Sequence, residues 1–523
     1  MSSSSFHRSS SAAVVQLRPP LAEDDEQVLN AEFSRSASDP KQPSWRLVTP
    51  ATTEACVLLI GAYNVIAQIT SIFFLLSYAG VNIACLALDL TSAPNFRPNF
   101  KYFSVHTSFL GFIGCIAMMF FINSVSSGIA IILLLLLLIG LHYGAPMPAS
   151  WGSISQALIF HQVRKYLLML DSRKEHVKFW RPQILLLVAN PKSCLPLIDF
   201  VNDLKKSGLY VLGHVKVISD SGLNRPIDPV QEDMPYWLGL IDYLKIKAFV
   251  EITVAASIRD GIQHLVRLSG IGAMKPNTVM LGFYDSTPHL NTFEKGKLLR
   301  NIKFAKLERA EVVEYFTAQD FDPDSATKRL TVHEYVSIIK DIIKMNKNIG
   351  LAKGFHRLDK EVLLKSSGYK CVDVWPVDLV RPENASTSWD NSSLFLLQLA
   401  CILSMVSRWK TRIMLRVFLC VTSLQDMHHK EVQLKEMLSQ LRIRAKSILL
   451  PWDHADSQQL LPSFNELLKR NSSQSAVVFL NLPLPPENIE SAGSYVERLD
   501  LITADLPPSL MVYGISSVIS TAL

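Results

Sequence analysis

The sequence contains a long stretch without charged residues. From Val105 to Val163 there is no Lys, Arg, Asp or Glu, and the run from Ile129 to Leu141 within it is almost wholly aliphatic. Such a run would aggregate in water, whereas a bilayer requires it, because a membrane helix exposes apolar side chains and satisfies its own backbone polar groups. Charged residues make up only 19% of the chain, against about a quarter in soluble proteins. The sequence therefore predicts an integral, multi-pass membrane protein.

Several chemical signatures are missing as well. The chain has 7 cysteines but no C-x-x-C pair, and their scatter does not resemble a disulfide framework, so we expect the large domain to lie in a reducing compartment. A P-loop, a G-x-S-x-G and an H-E-x-x-H are all absent from the sequence, and His428-His429 has no further ligands near it. We expect no enzyme activity, no catalytic residue, no metal site and no cofactor.

The charge balance argues against a nucleic-acid partner. The net charge is +6, no basic block is dense, and aromatic and basic residues do not alternate. A cytosolic surface near anionic lipid is the simpler interpretation of the positive charge. Residues 1–50 form a polar, Ser-rich leader that we expect to be disordered. Its serines are either phosphorylation sites or simply solvated.

Hydrophobicity predicts a transmembrane region at residues 51–145. Its spans are expected at about 55–88, 104–122 and 125–143, each near or above the roughly 20 residues that a bilayer requires. The first segment is long enough to be either one tilted helix or a helix preceded by the tail of a broken span. Asn123 to Gly128 is expected to form a tight, uncharged connection between the second and third spans.

Basic residues predict the orientation of these spans. Arg97 and Lys101 place the first loop in the cytosol, and the uncharged second loop then lies outside. The C-terminal domain is therefore expected in the cytosol. With three spans the leader would lie outside, although it has no export signal. We accordingly expect further helices on the N-terminal side, missing through truncation or an unusual gene model.

The sequence after the membrane region changes character. Residues 146–182 predict an amphipathic linker with a helix near the membrane surface. Strands and helices then alternate, which predicts a doubly wound α/β domain with two related lobes, at residues 183–380 and 381–523. Residues 284–310 and 381–393 are expected to be polar loops. Asp203 and Glu431 are interpreted as carboxylates on solvated helix faces.

Two sequence patterns in this domain leave alternatives open. Ser269 to Asn277 contains a G-x-G that belongs either to a nucleotide site or to a helix C-cap followed by a turn. Asn384, Asn391 and Asn471 begin glycosylation acceptor patterns, which we expect to be unused because the domain is placed in the cytosol.

Polar residues inside the first span are candidates for function, because polar groups are costly in hydrocarbon. The Tyr78 hydroxyl is able to donate to an anion, and Asn82 lies one turn further on the same face. The alternative is that both side chains only hydrogen-bond within the helix bundle.

Several ordered motifs resemble the cation–chloride cotransporters, solute carrier family 12. The resemblance covers about Gly61 to the C-terminus. Its motifs are Asn64–Ile69, Phe73–Asn82, Ser92–Pro98, Trp151–Ala157, His176–Gln183, Gly272–Thr278, Met345–Asn348, Val372–Trp375 and Leu438–Ala445.

The resemblance implies a fold and a function. It implies the last three helices of an amino-acid-permease-like bundle of twelve, a cytosolic α/β domain, and homodimers or heterodimers with related cotransporters. Members of the family move chloride with potassium or sodium electroneutrally, and Tyr78 matches a chloride-coordinating tyrosine. The family's other ion sites lie on helices that would precede Gly61, and Gln68 stands where the family has proline.

Three functional hypotheses follow. The chain is either the C-terminal part of a chloride symporter or a non-transporting regulator that dimerises with intact cotransporters. A membrane-anchored α/β enzyme is the third hypothesis, and the missing catalytic motifs argue against it.

Overall fold

The computed structural model describes two compact units that divide at Val163. It describes residues 63–91, 96, 98–144, 154–171, 173, 177–218, 227–284, 292–293, 299, 307–318, 330–365, 370–377, 389–421, 427–452 and 460–518. The leader at residues 1–50, most of the loop at 284–310 and the Asn384 acceptor pattern lie outside these residues.

Among the described residues of the first unit, three helices precede the linker. They are α1 (Tyr63–Leu90), α2 (Val105–Ile122) and α3 (Ser124–Gly144). The segments long and apolar enough to cross a membrane are Asn64–Leu90, Val105–Ile122 and Ser124–Leu141. From Tyr63 onward α1 is one continuous helix, which favours the long, tilted helix over a broken one across the described part of this span.

The connection between α2 and α3 is shorter than predicted. Only Asn123 lies between the helices. Its side-chain oxygen accepts from the backbone N–H groups of Val125 and Ser126, both at 3.1 Å, and its own N–H donates to Met119 at 3.3 Å. One residue thus satisfies groups at both helix ends, and the expected loop from Ser124 to Gly128 is the first part of α3.

The three helices bury little of their own surface. Ile72 of α1, Met119 of α2 and Ala130 of α3 form a small core. In each candidate span only 11% of the most apolar window is buried. A helix with this much exposed aliphatic surface requires lipid or further helices around it.

The linker contains the predicted helix, α4 (Ile154–Met169). Ile159, Val163, Tyr166 and Leu170 recur at helical spacing, and all four are exposed. Arg164 and Lys165 lie on other sides of the helix. A short 3-10 turn, Val177–Phe179, then leads to the sheet.

In the described part of the second unit, ten strands form one sheet. The strands are β1 (Ile184–Leu187), β2 (Tyr210–Val217), β3 (Phe249–Ala255), β4 (Thr278–Gly282), β5 (Asn348–Lys353), β6 (Lys370–Trp375), β7 (Ile413–Val421), β8 (Ala445–Pro451), β9 (Val477–Asn481) and β10 (Ser509–Tyr513).

Helices connect these strands. They are α5 (Pro191–Leu204), α6 (Pro229–Leu244), α7 (Ile258–Leu268), α8 (Arg309–Thr317), α9 (Val332–Lys344), α10 (Lys360–Lys365), α11 (Asn391–Met405), α12 (Ser407–Lys410), α13 (Met427–Gln440), α14 (Leu460–Ser472) and α15 (Ala492–Ile502).

The sheet has two halves with the same strand order. The order is β3-β2-β1-β4-β5-β10-β9-β6-β7-β8. Counted from each outer edge towards the centre, the first half is β3-β2-β1-β4-β5 and the second half is β8-β7-β6-β9-β10, which is the same order in the second set of five strands. All neighbours are parallel except β5 and β10, which pair antiparallel at the centre. The boundary expected after residue 380 separates β6 from β7 and β9, the strands with which it pairs.

Packed layers cover both faces of the sheet. Ile184 and Leu186 of β1 contribute to one hydrophobic core, while Leu185 contributes to the other. Strands buried on both faces have continuous apolar sequences, and β1, with the sequence Ile-Leu-Leu-Leu, is such a strand.

Helix α11 was missed in the sequence. Its first three residues fall in the region predicted to be a polar loop, and the rest is nearly all apolar. At 15 residues it is shorter than a membrane span, and Phe395, Leu396 and Leu399 are fully buried against the sheet. A helix buried on all sides has no polar face to reveal its period.

Candidate functional site

Helix α1 satisfies several of its polar side chains on its own backbone. The Ser71 hydroxyl donates to the carbonyl of Ala67 at 2.8 Å, and that of Ser77 donates to Phe73 at 3.0 Å. The Asn82 amide donates to the carbonyl of Tyr78 at 2.9 Å. These bonds lower the cost of placing polar groups in hydrocarbon.

Asn82 also forms the close contact between α1 and α2. A Cβ placed on Gly111 of α2 would lie 2.7 Å from the Asn82 Oδ1 atom. Glycine is therefore required there for the amide to keep its position. This supports the interpretation of Asn82 as a packing residue within the bundle.

Tyr78 differs from Asn82 in its surroundings. It is 60% exposed in the three-helix unit, so α2 and α3 leave most of it uncovered. A side chain in this position is available to a ligand or to other helices. The role of Tyr78 as a chloride ligand stays a prediction. Gln68, where the family has proline, lies inside the continuous α1.

The glycine-containing segment after α7 forms a turn. Helix α7 ends at Leu268, and the Ser269 N–H donates to Leu265 at 3.0 Å. Gly270 has φ +86° and a Cβ there would lie 2.2 Å from the Met274 carbonyl oxygen, while Gly272 has φ +61°. Ile271 and Met274 close the turn with two backbone hydrogen bonds of 3.1 and 3.0 Å. The helix C-cap and turn are thus the correct alternative for these glycines.

Two of the family motifs meet at the base of this turn. The Asn277 amide donates to the carbonyl of Arg181 at 2.9 Å, and its oxygen accepts from the Gln183 N–H at 3.0 Å. The Asn277 N–H in turn donates to the Gln183 carbonyl at 2.9 Å. Asn277 therefore fastens the end of the linker to the start of β4.

The motif containing Val372 and Trp375 lies in a buried ionic cluster. Arg416 donates to both carboxylate oxygens of Asp373, at 2.8 and 2.7 Å, and Ser475 donates to the same carboxylate. Asp373 is fully buried. Burial lowers the pKa of Arg416, but the hydrogen bonds to Asp373 and the negative charge of Asp373 have the larger combined effect, so the pKa of Arg416 is raised. Sequence reasoning missed this cluster because its members are far apart in the chain.

Asp203 contradicts the prediction of a solvated carboxylate. It is buried, accepts from the Trp409 indole N–H at 2.8 Å, and forms an ion pair with Lys360. Its sequence neighbours, including Lys205, suggested a polar surface, whereas the folded chain brings the buried Trp409 of α12 against it. Glu431 is a half-exposed residue that pairs with Lys435 one turn further.

The described residues include no group of three His, Cys, Asp or Glu side chains arranged for a metal ion. Burial raises the pKa of the Cys194 and Cys420 thiols to about 12 each, so both are unreactive at neutral pH. Asn391 and Asn471 lie in α11 and α14, and each donates its amide to a backbone carbonyl, at 3.1 and 2.9 Å.

Family models of known proteins match residues in both units of the chain. The amino acid permease family model matches residues 48–186, and that of solute carrier family 12 matches residues 195–292 and 454–522. The chain is 48% identical to solute carrier family 12 member 9 of Danio rerio over 92% of its own length and 55% of the relative.

Further relatives are similar to the chain. It is 40% identical to member 9 of Homo sapiens, over 92% of the chain and 56% of that relative. It is 34% identical to the vacuolar cation-chloride cotransporter 1 of Saccharomyces cerevisiae, over 77% of the chain and 36% of that relative. The cytoplasmic domain of a prokaryotic cation chloride cotransporter, a solved structure, covers 64% of this chain and 96% of its own, with 12% identity and a TM-score of 0.36.

The chain spans about half the length of the curated relatives named solute carrier family 12 member 9. Family models match both the membrane region and the α/β domain, in the order in which they occur in the chain. The chain belongs to solute carrier family 12, the cation–chloride cotransporters.

Proposed function

We propose that this chain forms part of a chloride symporter, in which α1 contributes Tyr78 to a chloride site and the α/β domain lies in the cytosol. The observation that carries the proposal is the contrast on α1. The Asn82 amide is occupied by its own backbone and packed on Gly111, whereas Tyr78 is mostly exposed. A phenol hydroxyl donates one hydrogen bond, which suits an anion in a low-dielectric site.

The proposed reaction is the movement of chloride with potassium or sodium without net charge. Alternating access requires binding groups near the bilayer midplane between helices. Because the three described spans bury so little of their surface, further helices are needed to enclose Tyr78. They come from a longer form of the protein or from another chain.

The test is rubidium uptake into proteoliposomes that contain the protein, with external chloride present or replaced by gluconate. Chloride-dependent uptake is expected. Tyr78→Phe is expected to weaken the binding of chloride, read from the chloride concentration that gives half-maximal uptake, by about 1 kcal/mol, the contribution of one hydrogen bond. Tyr102→Phe, in the loop before α2, is the matched control. Uptake that is unaffected by Tyr78→Phe would rule out the assigned role of this residue.

A second function is supported by the exposed apolar surface of α1 to α3. Helices with this surface are suited to dock against an intact cotransporter, so the chain would act as a regulator without transporting. Co-purification with a related cotransporter, together with absence of chloride-dependent rubidium uptake by the chain alone, is expected for the regulator. Uptake by the chain alone would exclude it.

A further inference from the structure

The turn after α7 exposes large apolar side chains that no element in the described part of the chain covers. Leu268 is 75% exposed and Ile271 is 72% exposed, and Met274 is also exposed. Arg267 and Lys275 flank them and are exposed too. We call these five residues the basic tip. Exposed aliphatic residues framed by cations are typical of surfaces that enter the headgroup layer of a membrane.

The shape of the basic tip is fixed. Gly270 and Gly272 adopt positive φ, and the Ile271 and Met274 backbones bond to each other, so Ile271 is held at the end of a tight turn. Asn277 fastens the base of the turn to Gln183. The apolar side chains are therefore exposed by a well-defined backbone rather than by a loose loop, and insertion would cost little conformational entropy.

The basic tip lies at the edge of the sheet where the chain arrives from the linker. β1 and β4 are parallel, with Ile184 opposite Thr278, so both begin at this edge. The preceding residues, Gln183 and Asn277, are hydrogen-bonded to each other there. A Cβ on Gly272 would lie 3.8 Å from the carbonyl oxygen of Leu167, in the last turn of α4. The last turn of α4, which belongs to the same unit, thus adjoins the basic tip.

Charge distinguishes a lipid partner from a second copy of the chain. From Gly261 to Tyr284 the only Lys, Arg, Asp or Glu residues are Arg267 and Lys275. Along α4 they are only Arg164 and Lys165. Two copies meeting through these surfaces would oppose cation to cation, whereas a leaflet with anionic lipid carries the complementary charge.

We propose that the basic tip and the adjoining end of α4 bind the anionic surface of the bilayer, with Ile271 inserted among the lipid headgroups. The proposal does not depend on transport. It holds equally for a symporter and for a regulator, because it concerns only how the α/β domain contacts lipid.

The experiment uses the full chain in nanodiscs that contain a diazirine-labelled phosphatidylcholine, with or without phosphatidylserine. After illumination, labelled peptides are mapped by mass spectrometry. Lipid adducts are expected on the peptide that contains Leu268 to Lys275, and phosphatidylserine is expected to increase them. Arg267→Gln and Lys275→Gln are each expected to reduce that increase by about fivefold, the effect of one cation near an anionic surface.

Ile271→Asp tests the insertion itself and should remove most of the adducts. Val432→Asp on α13 is the matched control, since Val432 is also an exposed aliphatic residue. Unchanged thermal unfolding of Ile271→Asp shows that the variant remains folded. The proposal is overturned if the basic tip carries no more lipid than the Val432 peptide, which is also the result expected if a second copy of the chain covers the tip.

Discussion

Arg416 and Asp373 are direct register partners on β7 and β6, and their side chains form a two-point ion pair in which the carboxylate is fully buried. Ser475 donates to the same carboxylate, and the Asn471 carbonyl accepts from Arg416 at 3.1 Å. The buried ion pair thus links the paired strands β6 and β7 to the last turn of α14, which contains Asn471. Trp375, two residues beyond Asp373, stacks on Phe418 at 4.2 Å between ring centroids.

Breaking this ion pair should destabilise the α/β domain strongly. Asp373→Asn leaves Arg416 without its charged partner, so we expect the free energy of unfolding to fall by about 3–5 kcal/mol. Chemical unfolding monitored by tryptophan fluorescence measures the change. Glu431→Gln, which removes an exposed pair with Lys435, is the control and should leave the midpoint unchanged. Equal effects of the two substitutions would contradict a structural role for the buried pair.

The contact between Asn82 on α1 and Gly111 on α2 predicts that the effects of substituting these two residues on stability depend on each other. Gly111→Ala would force the Asn82 amide away from its bond with Tyr78, so thermal stability in detergent should fall by about 1 kcal/mol. In an Asn82→Ala background the same change should cost little, because the obstructing atoms are gone. Gly114→Ala is the control on the same helix, where a Cβ meets nothing within 4 Å. Additive effects would show that the two residues are not in contact.

Asn277 should control the attachment of the linker to the sheet. Asn277→Ala leaves the Gln183 N–H and the Arg181 carbonyl without their partner, and we expect a loss of about 1–3 kcal/mol. Hydrogen exchange at the Gln183 amide should accelerate in the variant. Asn488→Ala removes only bonds to Glu490 in a local turn and should leave that exchange unchanged. Unaltered protection of Gln183 in Asn277→Ala would refute the anchor.

Lys205 should make stability depend on pH in the alkaline range. Burial, and then the charge of Lys247, lower its pKa from 10.5 to about 8. Its ammonium donates to the Lys247 carbonyl. Between pH 8 and 10.5 the unfolded chain therefore holds a proton that the native state has lost, so this residue makes stability rise with pH across that window. Below pH 8 both states are protonated and the burial of charge is unfavourable.

Lys205→Met removes this contribution. At pH 7 the variant should be more stable than the parent, and its advantage should shrink by on the order of 1 kcal/mol as the pH rises from 8 to 10.5. Urea unfolding at a series of pH values measures the difference between the two proteins. Lys446→Met, at an exposed position of β8, should show no such trend. A constant difference across the window would mean that Lys205 is protonated normally in the native state.

The parts of the fold that were predictable from sequence have local causes. The alternation of strands and helices has such causes: Ser257 caps α7, for example, and the apolar residues of this helix recur on one face. β6 is hard to recognise as a strand in the sequence, since Asp373 interrupts its apolar run and the partner that allows its burial, Arg416, lies on another strand. Asp203 was misplaced for the same reason, as its partners Trp409 and Lys360 are distant in sequence.

The antiparallel pairing of β5 with β10 gives the two halves of the sheet opposite polarity. In doubly wound sheets, ligands bind in the crevice at the carboxyl ends of the strands, where the strand order reverses. In the first half that crevice lies between β1 and β4, at the edge remote from the linker. In the second half it lies between β6 and β9 and opens on the edge where the linker enters. A small molecule bound in the second crevice would therefore lie on the side of the sheet where the linker enters, whereas one bound in the first crevice would lie on the opposite side.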